Sequence, residues 1–177
     1  METNVNNTSQ VTTRSVGVKF GIISAVIGIV FFLIQALSGI SPFGGKFDWR
    51  AVVGILITAG VIFFAHKTFK DNGDGYMSYG QGVGITFWVT LVSIVINVLF
   101  IFIYVKLIDP YLMENFQRLQ EEEMASKGMN EQQIEMGLKM MTAIFWPMYI
   151  IMGMIFGMII GLVVGIFTQK KNPQPVF

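Results

Sequence analysis

Apolar positions along this chain neither alternate at a period of two nor scatter singly; they gather into four long runs at about residues 17–40, 49–66, 82–107 and 143–168. At about 1.5 Å per helical residue, each run approaches or exceeds the roughly 30 Å of a bilayer's hydrocarbon. The first is broken only by Lys19 and Gln35, the second opens on Trp49 and Arg50 and closes at His66, and the third has no ionisable residue before Lys106. The fourth carries Pro147 near its entry, where a missing backbone donor predicts a kink. Between the third and fourth runs, residues 109–142 return to a helical period: Leu112, Met113, Phe116, Leu119 and Met124, then Ile134, Leu138 and Met141. Asp109-Pro110 reads as a helix start with the carboxylate as cap, Glu121 to Glu123 as a solvated face, Gly128 as a stop, and Asn130 with Gln133 as a capping box. The pattern predicts an all-α integral membrane four-helix bundle, with an amphipathic helical segment between spans three and four. Residues 1–13 and 172–177 read as polar tails around a single domain, 14–171, and Ser41 to Lys46 as a turn.

Within the runs, small and polar residues repeat at helical spacing. Gly153, Gly157, Gly161 and Gly165 stand at steps of four and form one stripe on which another helix backbone can approach closely. Its mate is either a span of the same chain or a second copy. Gly21, Ala25 and Gly28, with Ser24 beside them, make a second small-residue face in the first span, a plausible mate for the stripe. In the third span Thr86, Thr90, Ser93 and Asn97 share a candidate polar face that either lines a path or bonds across helices. An amide at mid-membrane depth is costly unless paired, and Gln35 is the distant residue expected to meet Asn97.

Composition agrees with the pattern: 53% of residues are hydrophobic and only 13% charged, outside the range of soluble domains. There is no basic stripe interleaved with aromatics, so no nucleic-acid partner is expected. The absence of cysteine removes disulfides and thiolate metal sites. The single histidine, His66, precedes Lys67 and Lys70 and reads as an interfacial side chain wetted by headgroups, not as a metal ligand. Lys70 to Gln81 resembles the EF-hand loop at its middle, but Lys70 and Gln81 occupy positions that require carboxylates, so Asp71 to Gly75 reads as a tight turn. Ten of the twelve methionines lie between Met113 and Met158; without histidine or cysteine support they read as adaptable filler, not as a copper site. No cofactor is expected, and no nucleophile with a base, phosphate loop or paired intramembrane carboxylate suggests an enzyme.

The NGDGYMSYGQG turn, the DPYL start and the GMNEQQIE cap, taken in that order, resemble a family of small bacterial membrane proteins catalogued as domain of unknown function 4199. The resemblance implies a four-span bacterial inner-membrane protein and no assigned activity. The resulting expectation is a non-enzymatic protein in the lipid bilayer that packs with itself or another membrane protein as a structural, assembly or accessory subunit. The alternative is a small oligomeric channel or transporter subunit, motivated by the polar face. Arg14, Lys19, Lys67, Lys70, Lys170 and Lys171 lie close to membrane ends on one side, whereas the other side's six basic residues are dispersed among acids, which predicts cytoplasmic termini. In intact cells, Lys171→Cys should resist a membrane-impermeant thiol reagent until the membrane is permeabilised; labelling beforehand would invert the orientation.

Overall fold

Three of the helices begin at reciprocal side-chain caps. The computed structural model describes residues 11–43 and 49–172. Helix α1, Thr13–Leu37, starts at Thr12, whose hydroxyl accepts from the Ser15 amide at 3.0 Å; α3, Tyr79–Ile103, starts at a Ser78/Gln81 box. Helix α5, Glu131–Thr168, starts at the Asn130/Gln133 box expected from its sequence. Helix α2 spans Trp49–Asp71 and α4 spans Tyr111–Ser126. Four of the five helices, all but α4, are long and apolar enough to cross a membrane. The expected tails at residues 1–10 and 173–177, and the Gly44, Gly45 and Lys46 part of the first turn, lie outside the described residues.

The link from α3 to α4 differs from expectation. The chain continues through a π-helical turn, Tyr104–Ile108, closed by the Asp109 amide bonding to the Tyr104 carbonyl at 2.9 Å. The cap position of α4 is Pro110 and it makes no side-chain cap bond, so Asp109 acts through its backbone in ending one helix and not as a carboxylate cap for the next. Gly128, at φ +79°, does end α4. The Asp71 to Gly75 segment is a turn in which Asp74 Oδ1 accepts from the Tyr76 amide at 3.0 Å and Gly75 takes φ +83°.

Helix α3 is the axis of the bundle, with α1 parallel to it and α5 antiparallel. A methyl built on Gly157 would collide with Thr90, on Gly161 with Thr86 and on Gly153 with Ile94, while one on Gly165 would sit 3.2 Å from the Tyr79 ring. The α5 stripe is therefore mated within the chain, and to α3. The small face of α1 is not its partner, because it too lies on α3: Gly17 meets Trp88, Gly21 meets Val92, and Gly28 lies against Asn97, with Ala25 fully buried between. The two glycine faces occupy α3 surfaces about a third of a turn apart.

Side chains pack most densely at the two membrane ends. At the end holding both termini, Val16, Ile62, Ala65, Phe69, Met77, Ile85 and Val89 form one core. At the other, Phe32, Phe43, Tyr104, Leu112 and Phe116 form a second, with rings mostly edge to face: Phe32 and Tyr104 centroids are 5.3 Å apart, Phe43 and Phe145 5.4 Å. Helix α2 belongs to only one of these cores. All its buried residues, Val61, Ile62, Ala65, His66 and Phe69, lie in its C-terminal half. Its N-terminal half stands off from the bundle.

Helix α5 has 38 residues, about 57 Å at 1.5 Å each, well beyond one bilayer's hydrocarbon. It runs through Pro147 without losing helical assignment. Its first turns lie against α4, with Gln117 Nε2 donating to Thr142 Oγ1 at 3.0 Å and Met124 packed on Gly137.

The glycine contacts predict an asymmetry. Gly157→Ile should lower unfolding free energy by about 2 kcal/mol through overpacking. Gly54 of α2 has no atom within 4 Å of a built Cβ, so Gly54→Leu should be neutral or slightly stabilising. Detergent-denaturation titrations of the two variants check this, and equal effects would contradict the assigned packing.

Candidate functional site

The polar face of α3 runs along the seam between its α1 and α5 contacts, and the structure divides it. Thr86 and Thr90 fall to α5, buried against Gly161 and Gly157. The Thr90 hydroxyl makes no hydrogen bond to a described residue, and lies 2.8 Å from where a Gly157 Cβ would be, so its surroundings at that point are glycine backbone and C–H. Ser93 and Asn97 fall to α1. The Ser93 hydroxyl donates to Ser24 Oγ at 3.1 Å, and Asn97 Nδ2 donates to the Ser93 carbonyl at 2.9 Å, with Ser93 Oγ at 3.4 Å. Asn97 and Gln35 do not bond one another as the sequence suggested. Gln35 Nε2 donates at 3.2 Å to the Phe31 carbonyl, one turn back in its own helix. Each amide uses local backbone, a cheaper solution than spanning two helices.

Both amides nonetheless line one space. A cavity of about 740 Å³ opens among α1, α2, α3 and α5, walled by Gln35, Ser24, Ser93 and Asn97 on one side and by Ala51, Gly54 and Thr58 of α2 on the other. Arg50 lies at its membrane end, donating to the Ser41 carbonyl at 3.1 Å. A second limb of about 440 Å³ shares Ser24, Gly54, Thr58, Ser93 and Gly153 and continues past Ile55, Val89, Phe156, Gly157 and Ile160. Among the described residues, no carboxylate lines either limb. Gly54 borders both. Unlike the glycines of α1 and α5, whose missing side chains are replaced by a neighbour's atoms, Gly54 faces open space. Ser24 was singled out in the sequence only as a small residue and Arg50 only as the start of the second span; Thr58 carried no signal there, because its role depends on where α2 stands.

His66 departs furthest from its sequence reading. It is fully buried, not wetted by headgroups. Helix α2 continues to Asp71, beyond the expected exit at residue 66, which draws the ring more than a turn inward. Nε2 bonds the Gly82 carbonyl at 3.0 Å, and because a carbonyl only accepts, Nε2 carries a proton; Nδ1 lies 2.7 Å from Thr168 Oγ1, whose hydroxyl is also 2.9 Å from the Val164 carbonyl. Thr86 Oγ1 is 3.4 Å from Nε2. Beside the ring, Lys70 Nζ donates to the Thr168 carbonyl at 2.9 Å, and Met77 and Lys170 exchange two backbone bonds of 2.9 Å. The ring thus ties α2, α3 and the end of α5 together, and it is the polar anchor of α2's packed half. Gly82 leaves room for the ring: a Cβ there would sit 3.3 Å from the imidazole.

These features define a multi-pass, all-helical membrane protein with a polar cavity inside its bundle. Residues 19–170 match the family described as "Protein of unknown function (DUF4199)", and the chain belongs to that family. No curated protein and no solved structure matches it.

Replacing the ring with an apolar group of similar size, His66→Leu, removes both of its bonds and should cost about 2 kcal/mol of stability. It should also speed hydrogen exchange at the Met77 and Lys170 amides. Unchanged exchange would show that the ring does not hold this end of α2 in place.

Proposed function

We propose that this chain is a non-enzymatic inner-membrane protein of bacteria that receives a small molecule inside its helix bundle, as the binding component of a channel or transporter subunit. The observation that carries this reading is the space at Gly54. Helix α2 is fixed at one end by His66 and has no fully buried residue in its other half, and polar side chains from α1, α2 and α3 converge beside that half. Pockets of this size, mostly apolar with a few convergent polar groups, are the usual form of small-molecule sites. The glycine stripe supports self-association less than it did as sequence alone, because its surface is occupied by α3. In the proposed orientation both termini are cytoplasmic, with Arg14, Lys67, Lys70, Lys170 and Lys171 at the cytoplasmic end.

A second reading, an assembly or accessory subunit, draws on the hairpin of α4 and the first turns of α5. It extends from the bundle on a helix continuous with a span and leaves Met136 and Met140 exposed at 66% and 60%. A partner would dock there and not on the glycine stripe.

The first reading is tested without background, because the chain has no cysteine. In lipid vesicles, Thr58→Cys should react with a water-soluble thiol reagent. Val95→Cys, 48% exposed at native Val95 but facing lipid, should not. Equal inertness of the two would remove the cavity from the argument.

A further inference from the structure

The two limbs of the cavity differ in chemistry, and their order along the membrane normal is informative. The polar limb lies nearer the membrane end, with Gln35, Ser41 and Arg50 among its walls. The other limb lies deeper and has lost most of that polarity, with Val89, Phe156 and Ile160 as its far walls. Polar groups at the surface and an apolar slot beneath follow the same depth order as a lipid in one leaflet. The deep limb is also open at its side: Ile55 of α2 and Phe156 of α5 both line it and are 43% and 57% exposed. A ligand can therefore enter between α2 and α5 from the hydrocarbon without crossing a headgroup layer.

The hydrogen-bonding capacity left in the polar limb narrows the head. Asn97 Nδ2 is used on the Ser93 carbonyl and hydroxyl, and Gln35 Nε2 uses one hydrogen on local backbone, which leaves a carbonyl oxygen on each amide and a second N–H on Gln35 for a ligand. The Thr58 hydroxyl donates to the Gly54 carbonyl at 2.8 Å, and its oxygen can still accept. Among the described residues, neither wall offers a carboxylate to pair a cationic head.

We propose that the cavity is a lateral binding site for a single-chain amphiphile with an uncharged hydroxyl, ester or amide head, held head-first against Asn97 and Gln35 with its chain in the limb between α2 and α5. This rests on the small-molecule reading above and names its ligand class. The glycine at position 54 is what keeps the junction of the limbs open, so a side chain there closes the site without touching the glycine-packed core.

The test uses the full chain in phosphatidylcholine vesicles, with a monoacylglycerol as probe. At about ten times its dissociation constant, the monoacylglycerol should slow thiol labelling of Thr58→Cys by about tenfold. Glycerol alone, or an alkyltrimethylammonium of equal chain length, should leave the rate unchanged. A monoacylglycerol with a photoreactive tail should crosslink to the Val89 and Ile160 walls of otherwise unaltered protein, and Gly54→Leu should abolish that crosslink while melting like the parent. Labelling of Thr58→Cys that is indifferent to monoacylglycerol, equal protection by glycerol or by the cation, or a crosslink that survives Gly54→Leu would each overturn the amphiphile site. In those cases the water-reached cavity would still stand. Failure of Thr58→Cys to label at all would remove the cavity reading itself, and the amphiphile site with it.

Discussion

The fold depends on how closely two helix backbones can approach α3. In lipid, apolar side chains gain little by leaving one hydrocarbon environment for another, so helix association comes from van der Waals contact and the few polar bonds that close approach permits. Here the approach is arranged twice on one helix. Gly153, Gly157 and Gly161 of α5 admit Ile94, Thr90 and Thr86, and Gly17, Gly21 and Gly28 of α1 admit Trp88, Val92 and Asn97. With both surfaces of α3 engaged, α1, α3 and α5 form one packed unit within the chain.

Helix α2 has no such device. Its two glycines in the described span, Gly54 and Gly60, face open space, and its buried residues are confined to the half that ends at His66 and Phe69. The consequence is mechanical. A helix fastened at one end by buried ring bonds, and loosely packed at the other, leaves a wedge between itself and its neighbours. The polar residues of α3 that are not used against α5 open into that wedge. The same sequence feature, a polar stripe drifting along a helix of 3.6 residues per turn, thus serves tight packing at Thr86 and Thr90 and solvation of a cavity at Ser93 and Asn97.

Much of this was legible in the sequence wherever the cause is local. The apolar runs, the Asn130/Gln133 cap, the Gly128 stop and the turn at Gly75 depend on residues within a few positions of one another, and the structure has all of them. What could not be read was pairing. The small faces of α1 and α5 carry equivalent signals, and nothing in either says that both belong to α3 and not to each other. Asn97 and Gln35 look like mates because both are costly alone, but each finds a backbone carbonyl one turn back. His66 was misplaced for a related reason. Lys67 and Lys70 look like an exit, whereas Lys70 reaches over to the Thr168 carbonyl and closes a buried node. Asp109 failed as a cap because the π-helical turn before it moved the start of α4 by one residue.

One helix connects the parts that the sequence kept separate. α5 begins in the extramembrane hairpin with α4, supplies Met152, Gly153 and Phe156 to the cavity walls, lays its glycines on α3, and ends at the His66 node. A helix holds its length but not its tilt, and its tilt is fixed only where it is packed. Toward the hairpin, α5 packs through Phe145 and Trp146 on the second core; between that core and the glycine face it borders open volume on the α2 side. Displacement of the hairpin is resisted first at that core and again at Gly153, where the glycine contacts begin and the cavity wall ends. That residue is shared by the tight interface and by both limbs of the cavity, so the boundary between the closely packed and the open portions of the bundle lies at the cavity wall.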